Sequence, residues 1–280
     1  MGKFDGVLLL SDFDDTLLRT SNVVWSGGTL PEIPPYNLER IRYFMDGGGR
    51  FAPVTGRVWQ AFRCFMPQLL LNAPVGTGNG VAIVDSATGE NLFLHPMPDS
   101  VGAVLEELER RHPTYACEIY RADNQADAIR PNSLTYNHAV ISHYTYREIA
   151  SFDQTRPPLL KLLFEGERQE LEELRQYILV QPWYGEYEVF FSGQNLLELI
   201  ARGANKGTMA RKLAQLCGIS MEHTYCIGDN ANDLPMLAAA KVAFAPANAI
   251  PAVLESGAVV LGDCMEGAVG QAVDYLDRIY

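Results

Sequence analysis

Residues 6–17 read Gly6-Val7-Leu8-Leu9-Leu10-Ser11-Asp12-Phe13-Asp14-Asp15-Thr16-Leu17, a continuous apolar run that ends in three carboxylates. Unbroken apolarity predicts a strand over residues 6–11 buried on both faces, the habit of a parallel sheet covered by helices. The run is too short for a signal-peptide core or a membrane span and meets acidic residues at once, so cytoplasm is the expected location. Carboxylates at the end of such a strand project into the crevice where open α/β sheets bind ligands. Crowded together they repel one another and raise each other's pKa unless a cation neutralises them; a hard ion such as Mg²⁺ suits that donor set. A calcium loop starting at Asp12 would need Gly and Glu where Leu17 and Val23 stand. An acidic loop that merely caps a helix stays open at this point.

The flanking sequence extends the same architecture. After Pro34-Pro35, residues Leu38, Ile41, Tyr43, Phe44 and Met45 keep a helical period that Gly47-Gly48-Gly49 stops. Residues 50–54 then read as a second strand ending at Thr55-Gly56-Arg57, which completes a β-loop-α-β unit. The alternation returns near the carboxyl end: helix 205–217, strand 224–227, helix 232–240, strand 242–245, a helix from Ile250, strand 258–261 and a last helix 267–279. The fold class is α/β, a doubly wound parallel sheet.

Residues 82–191 have another texture. Two short apolar stretches, 81–84 and 92–94, flank Asp85-Ser86-Ala87-Thr88-Gly89-Glu90, a hairpin signal. Helices are predicted over 101–111 and 169–178, and strands over 118–120, 160–164 and 188–191. The expected organisation is a core domain of residues 1–81 and 192–280 carrying an inserted α+β cap of residues 82–191. Residues 121–158 mix Tyr, Asn, His and Pro with little period and yield no element assignment.

Composition bounds the partners. With 280 residues, 48% of them hydrophobic, the chain can bury a large core, and a net charge of -12 argues against any broad grip on DNA, RNA or anionic lipid. The five cysteines form no CxxC pair, which suits reduced thiols. His95, His112, His138, His143 and His223 lack zinc spacing and read as isolated core or surface histidines.

A second acidic cluster, Gly228-Asp229-Asn230-Ala231-Asn232-Asp233, follows another short apolar strand. Its plain reading is a helix start with Asn232 as N-cap and Asp233 in the first turn, but Asp229 is not needed for that. Two such clusters at the carboxyl ends of parallel strands converge in one crevice, which favours a shared metal site. Lys206 follows Asn205 at a helix start, where the dipole disfavours a cation; an ammonium there can offset phosphate and carboxylate charge. Thr55, before Gly56, offers a hydroxyl and nearby backbone N–H groups to phosphate oxygens. Gly76-Thr77-Gly78-Asn79-Gly80 lacks the spacing of a phosphate loop and reads as a turn. Tyr136, Asn137, His138, His143 and Tyr144 either line a pocket or simply pack.

In this order the motifs resemble those of the haloacid dehalogenase-like phosphatases, specifically the Cof-type subgroup with a large cap (type IIB) after the second motif. Asp12-Phe13-Asp14-Asp15-Thr16-Leu17 matches the first motif, Thr55-Gly56-Arg57 the second, Lys206-Gly207 the third, and Gly228-Asp229 through Asp233 the fourth. Asn79-Gly80, Asn248-Ala249 and Glu266-Gly267-Ala268-Val269 also fit. The resemblance implies that Asp12 attacks phosphorus, that Asp14 protonates the leaving oxygen and later activates water, and that Lys206, Thr55 and Gly56 serve the phosphoryl group, with Asn232 also near it. It implies Mg²⁺ held by Asp12, the backbone carbonyl of Asp14, and Asp229, with Asp233 in support. Asp15 departs from the Gly common at its position, but Asp tolerates the left-handed region better than most residues.

The resemblance implies a phosphomonoester hydrolase for a small phosphorylated metabolite such as a sugar phosphate. A phosphohexomutase of the same superfamily would share the nucleophile, and a non-catalytic sugar-phosphate-binding protein would share the pocket. A signalling receiver domain fits poorly, since its phosphorylated Asp lies on a later strand and it carries no long insertion.

Overall fold

Leu8, Leu9 and Leu10 have no solvent exposure, and their strand, Leu8–Ser11, is hydrogen-bonded on both sides. Each such leucine contributes about 1.5–3 kcal/mol by leaving water. The computed structural model describes residues 2–21, 30–69 and 71–280. The chain forms two compact units, one of Met1–Thr55, Phe65–Leu92 and Asn205–Tyr280 and one of Gly56–Cys64 and Phe93–Ala204.

In the first unit a five-stranded parallel sheet runs Val259–Val260, Ala243–Ala245, Thr224–Ile227, Leu8–Ser11, Arg50–Pro53. Ser11 is in register with both Ile227 and Pro53. The chain leaves Leu8–Ser11 toward one side of the sheet and completes its later strands on the other. Strand order therefore reverses at Leu8–Ser11, and a crevice opens at the carboxyl ends there. Helix Pro35–Asp46 carries Pro at its first turn, where no N–H is needed. Its buried Asn37 donates to Leu17 O (2.8 Å) and accepts from Gly270 N (2.8 Å), tying the loop after Asp12 to helix Ala268–Ile279.

In the second unit a six-stranded sheet runs Tyr187–Gly193, Leu196–Ala201, Leu159–Glu165, Ala116–Arg121, Ala126–Ile129, Arg147–Ile149. Helices Val101–Arg111 and Arg168–Leu179 bury Val104, Leu105, Leu171 and Leu174 in one core with Ile119, Leu162 and Phe164 of the sheet. Alternate residues of the same strands, Glu118, Tyr120, Leu163 and Glu165, point to the opposite face. There Tyr120 and Leu163 pack with Ala139 of helix Ser133–Ile141.

The unassigned stretch 121–158 thus holds two strands and a helix. The helix escapes sequence reading because it buries only Thr135 and Ala139, leaving no apolar period to see. It is defined instead by its start, where Asn132 Oδ1 accepts from Leu134 N and Thr135 N. The unit boundaries also differ from the expected 81/82 and 191/192, falling after Leu92 and after Ala204. Ala82–Val84 pairs back with Val75–Thr77, and Leu196–Ala201 pairs with both Tyr187–Gly193 and Leu159–Glu165. The segment Gly56–Cys64 also falls in the second unit. Among the described residues no helix is long and apolar enough to cross a membrane.

Candidate active site

Three parallel strands deliver the charged groups to one end of the sheet. Asp12 follows Ser11 directly and its N–H donates to Ile227 O (2.9 Å), so the central strand and its neighbour hold the Asp12 backbone. Asp229 and Asp233 lie just beyond that neighbour. On the other side Val54 N donates to Ser11 O (2.8 Å) and Thr55 N to Gly76 O (2.9 Å), placing Thr55 at the same end of the sheet, 1% exposed. Lys206 opens helix Lys206–Cys217, capped by Asn205, whose side chain accepts from Thr208 N (2.9 Å). Gly207 permits the helix start to lie close to the Asp233 loop: a Cβ there would stand 2.5 Å from Pro235 O.

Lys206 Nζ lies 2.5 Å from Asp12 Oδ1 and 2.6 Å from Asp233 Oδ1, all three side chains being buried. Asp233 Oδ2 accepts from the N–H groups of Asp229 and Asn230 (3.0 Å each), so one carboxylate fixes both the loop and the lysine. Gly228 is the residue that lets Asp233 fold back, because a Cβ there would meet Asp233 Cβ at 2.5 Å. The helix-cap reading of this segment changes accordingly. Asp233 reaches back to the loop, and Asn232 donates to Asn79 Oδ1 (2.9 Å) rather than capping a helix.

Asp12, Asp229 and Asp233 each bring one carboxylate oxygen within 4.8 Å of the others. Burial, then the charge of Asp233, raises the Asp12 carboxyl well above the usual carboxylate range; Lys206 opposes the shift, and Asp229 and Asp14 add to it. Burial and Asp233 push Asp229 up to about 7. Burial alone would depress the Lys206 ammonium, but Asp12 and Asp233 more than offset it and its pKa is raised. Three carboxylates against one ammonium leave an excess of two negative charges when all are ionised, which a dication offsets. An octahedral Mg²⁺ keeps its oxygen ligands within about 4.2 Å of one another, so a small inward movement of these side chains fits them to the ion.

Asp14 is half-buried, and its carboxyl stands outside this trio. Asp15 has φ 57°, the left-handed conformation anticipated for it. Its carboxylate accepts from Thr20 N and Ser21 N (2.9 Å each), stabilising the turn locally. Gly56 belongs to the second unit, where its carbonyl accepts from Lys161 Nζ (3.5 Å). Two contributors were not foreseen in their roles. Thr16 donates its hydroxyl to Asp229 Oδ1 (3.3 Å), while Asn248 donates to Asp15 O (2.8 Å) and accepts from Cys264 N (2.9 Å). Asn248 had a signal, its place just beyond a core strand; Thr16 had none beyond lying next to the acidic run.

A doubly wound sheet with a buried lysine–carboxylate cluster at its switch point defines an α/β protein built for an anionic or metal-assisted chemistry. The model of the haloacid dehalogenase-like hydrolases matches residues 9–273, and the chain belongs to that enzyme family. It is 28% identical over 247 residues to an HMP-PP phosphatase of Yersinia pseudotuberculosis, covering 86% of this chain and 83% of the relative. It is 24% identical over 277 residues to a pyridoxal phosphate phosphatase of Escherichia coli, covering 94% and 95%. A haloacid dehalogenase-like hydrolase from Bacteroides thetaiotaomicron shares the fold with a TM-score of 0.81 at 23% identity, over 98% of this chain and 99% of that one.

Proposed function

We propose that the chain is a Mg²⁺-dependent phosphomonoester hydrolase that acts on a small phosphorylated metabolite through a phospho-aspartate. The observation that carries this is Lys206 lying between Asp12 and Asp233, sealed from solvent at the carboxyl end of the sheet. In this reading the first unit carries the chemistry and the second is the inserted cap. An Asp12 oxygen forms a bond to phosphorus as the ester P–O bond breaks, and Asp14 gives its proton to the departing oxygen. Asp14 then takes a proton from water, whose oxygen attacks phosphorus; the P–O bond to Asp12 breaks, releasing phosphate and regenerating the carboxylate. Lys206, Thr55 and the N–H groups beside Gly56 offset charge on the transferring oxygens. Held by Asp12, the backbone carbonyl of Asp14 and Asp229, with Asp233 in support, Mg²⁺ would neutralise the crowded carboxylates and polarise phosphoryl oxygens.

Phosphate release from p-nitrophenyl phosphate and a panel of phosphorylated metabolites tests the reading. HMP-PP and pyridoxal phosphate, the compounds for which two relatives are named, join sugar phosphates at the head of that panel. Turnover with Mg²⁺ that disappears in Asp12→Asn is the expected result. Turnover surviving in Asp12→Asn, no turnover across the panel, or an isomerised sugar phosphate formed without free phosphate would overturn it.

A further inference from the structure

The second unit holds a side-chain cluster of its own that the proposed reaction does not use. Glu118 of strand Ala116–Arg121 and Glu165 of strand Leu159–Glu165 share one face of the sheet: Ala116 is paired with Glu165, and Glu118 lies two residues along. His138, on helix Ser133–Ile141, turns Nδ1 between them, 3.2 Å from Glu118 Oε1 and 3.5 Å from Glu165 Oε1. Both carboxylates are sealed from solvent and His138 is 24% exposed. Tyr144 places its hydroxyl 3.1 Å from the same nitrogen, and Tyr120 bonds both Glu118 and the Tyr144 hydroxyl.

Glu165 is the anomaly. It is 1% exposed, yet neither of its oxygens has a partner at hydrogen-bond geometry; the one side-chain hydroxyl that lowers its pKa, that of Thr135, is shared with Asn132 Oδ1 (3.4 Å). A buried carboxylate in that state costs several kcal/mol unless it is protonated or a cation reaches it. Lys161, on the same face, is engaged with Glu198 (3.1 Å). One imidazolium could balance only one of the two carboxylates.

We propose that Glu118, His138 and Glu165 form a divalent transition-metal site in the second unit, taking Zn²⁺ or an ion of like preference. Two carboxylates and an imidazole are a zinc-type donor set, unlike the all-oxygen cluster around Asp12. Ligands about 2.0–2.1 Å from a tetrahedral ion lie about 3.3 Å from one another. The three distances from His138 Nδ1, to Glu118, Glu165 and the Tyr144 hydroxyl, cluster around that edge length. Tyr144 stands as a fourth ligand or as the group that orients a bound water, and Tyr120 orients Glu118.

The site is tested in the full-length chain carrying Asp229→Asn, which disables the other cluster. Metal-stripped protein is dialysed against Zn²⁺ in excess Mg²⁺ and its zinc counted by mass spectrometry. One zinc per chain is expected, lost in both Glu165→Gln and His138→Ala, with Tyr144→Phe binding about 10-fold more weakly. Co²⁺ in place of zinc should give strong visible bands that vanish with His138→Ala. Glu165→Gln is near-isosteric, so a cooperative melt distinguishes lost binding from lost folding. No zinc in the parent, or zinc retained in folded Glu165→Gln, would overturn the proposal.

Discussion

Lys206 Nζ and Asp233 Oδ1 lie 2.6 Å apart with 1% and 0% of their side chains exposed, so the ion pair that faces Asp12 also ties a helix start to a loop. Asp233 uses its second oxygen on the backbone of Asp229 and Asn230. The lysine–carboxylate cluster and the local fold are therefore the same set of bonds.

Lys206→Met should for that reason damage folding and activity together. The substitution leaves Asp12 and Asp233 buried without their cation, a change that costs about 3–5 kcal/mol. Mg²⁺ should return part of that stability, because it supplies the missing positive charge, while turnover stays lost. Denaturant titrations with chelator and with Mg²⁺ decide it; a loss of the same size in both conditions would refute the charge argument.

Asp15 at φ 57° invites a second substitution. Asp15→Ala should lose about 1–2 kcal/mol from left-handed strain, in addition to the bonds to Thr20 N and Ser21 N. Asp15→Gly removes the strain but also those bonds, and should fall within about 1 kcal/mol of the parent. Equilibrium unfolding of the two variants ranks them; Ala as stable as Gly would mean that the turn relaxes.

The core could be read from the chain because a doubly wound sheet writes itself as short apolar runs with charged ends. Thr224–Ile227 falls at the limits its pattern predicts, as does helix Val101–Arg111 of the second unit. The gathering of Asp12, Lys206 and Asp233 was legible as motif order, although their distances were not. What stayed hidden is cross-strand chemistry. Glu118 and Glu165 meet only because register sets Ala116 against Glu165, and their partner sits on a helix whose buried face is Thr135 and Ala139. No periodicity in a single sequence reports a strand register.

Asp127 gives a test in acid. It is buried, accepts from Arg121 (3.0 Å), Arg147 Nε (2.8 Å) and Thr155 Oγ1 (2.7 Å), and belongs to the second unit. Burial alone would raise its carboxyl, but the bonds from Arg147, Thr155 and Arg121 prevail and hold it below 3.8. A depressed carboxylate lends stability above its unfolded pKa and loses it as pH falls through the folded one. Asp127→Asn should cost about 2 kcal/mol near neutrality and flatten the stability profile below about pH 4. Denaturation midpoints across that range, with the slope unchanged in the variant, would contradict this.

Asp229 makes the opposite prediction, because its carboxyl is pushed up to about 7 by burial and by Asp233. In metal-free protein the folded state then holds a proton that the unfolded state releases near the ordinary 3.8. Stability should fall as pH rises from about 4 to 7, where the native carboxyl is forced to ionise beside its neighbours. Asp229→Asn cannot ionise, so in chelator at pH 8 it should be more stable than the parent by on the order of 2–4 kcal/mol. Mg²⁺ should raise the parent's melting temperature and leave the variant's nearly unchanged, since the variant has lost a ligand. Turnover should be lost in the same variant, so the cost of holding crowded carboxylates for a cation appears as stability gained when one is removed. A variant less stable than the parent in chelator at pH 8 would show that the cluster is held together by hydrogen bonds rather than strained by charge.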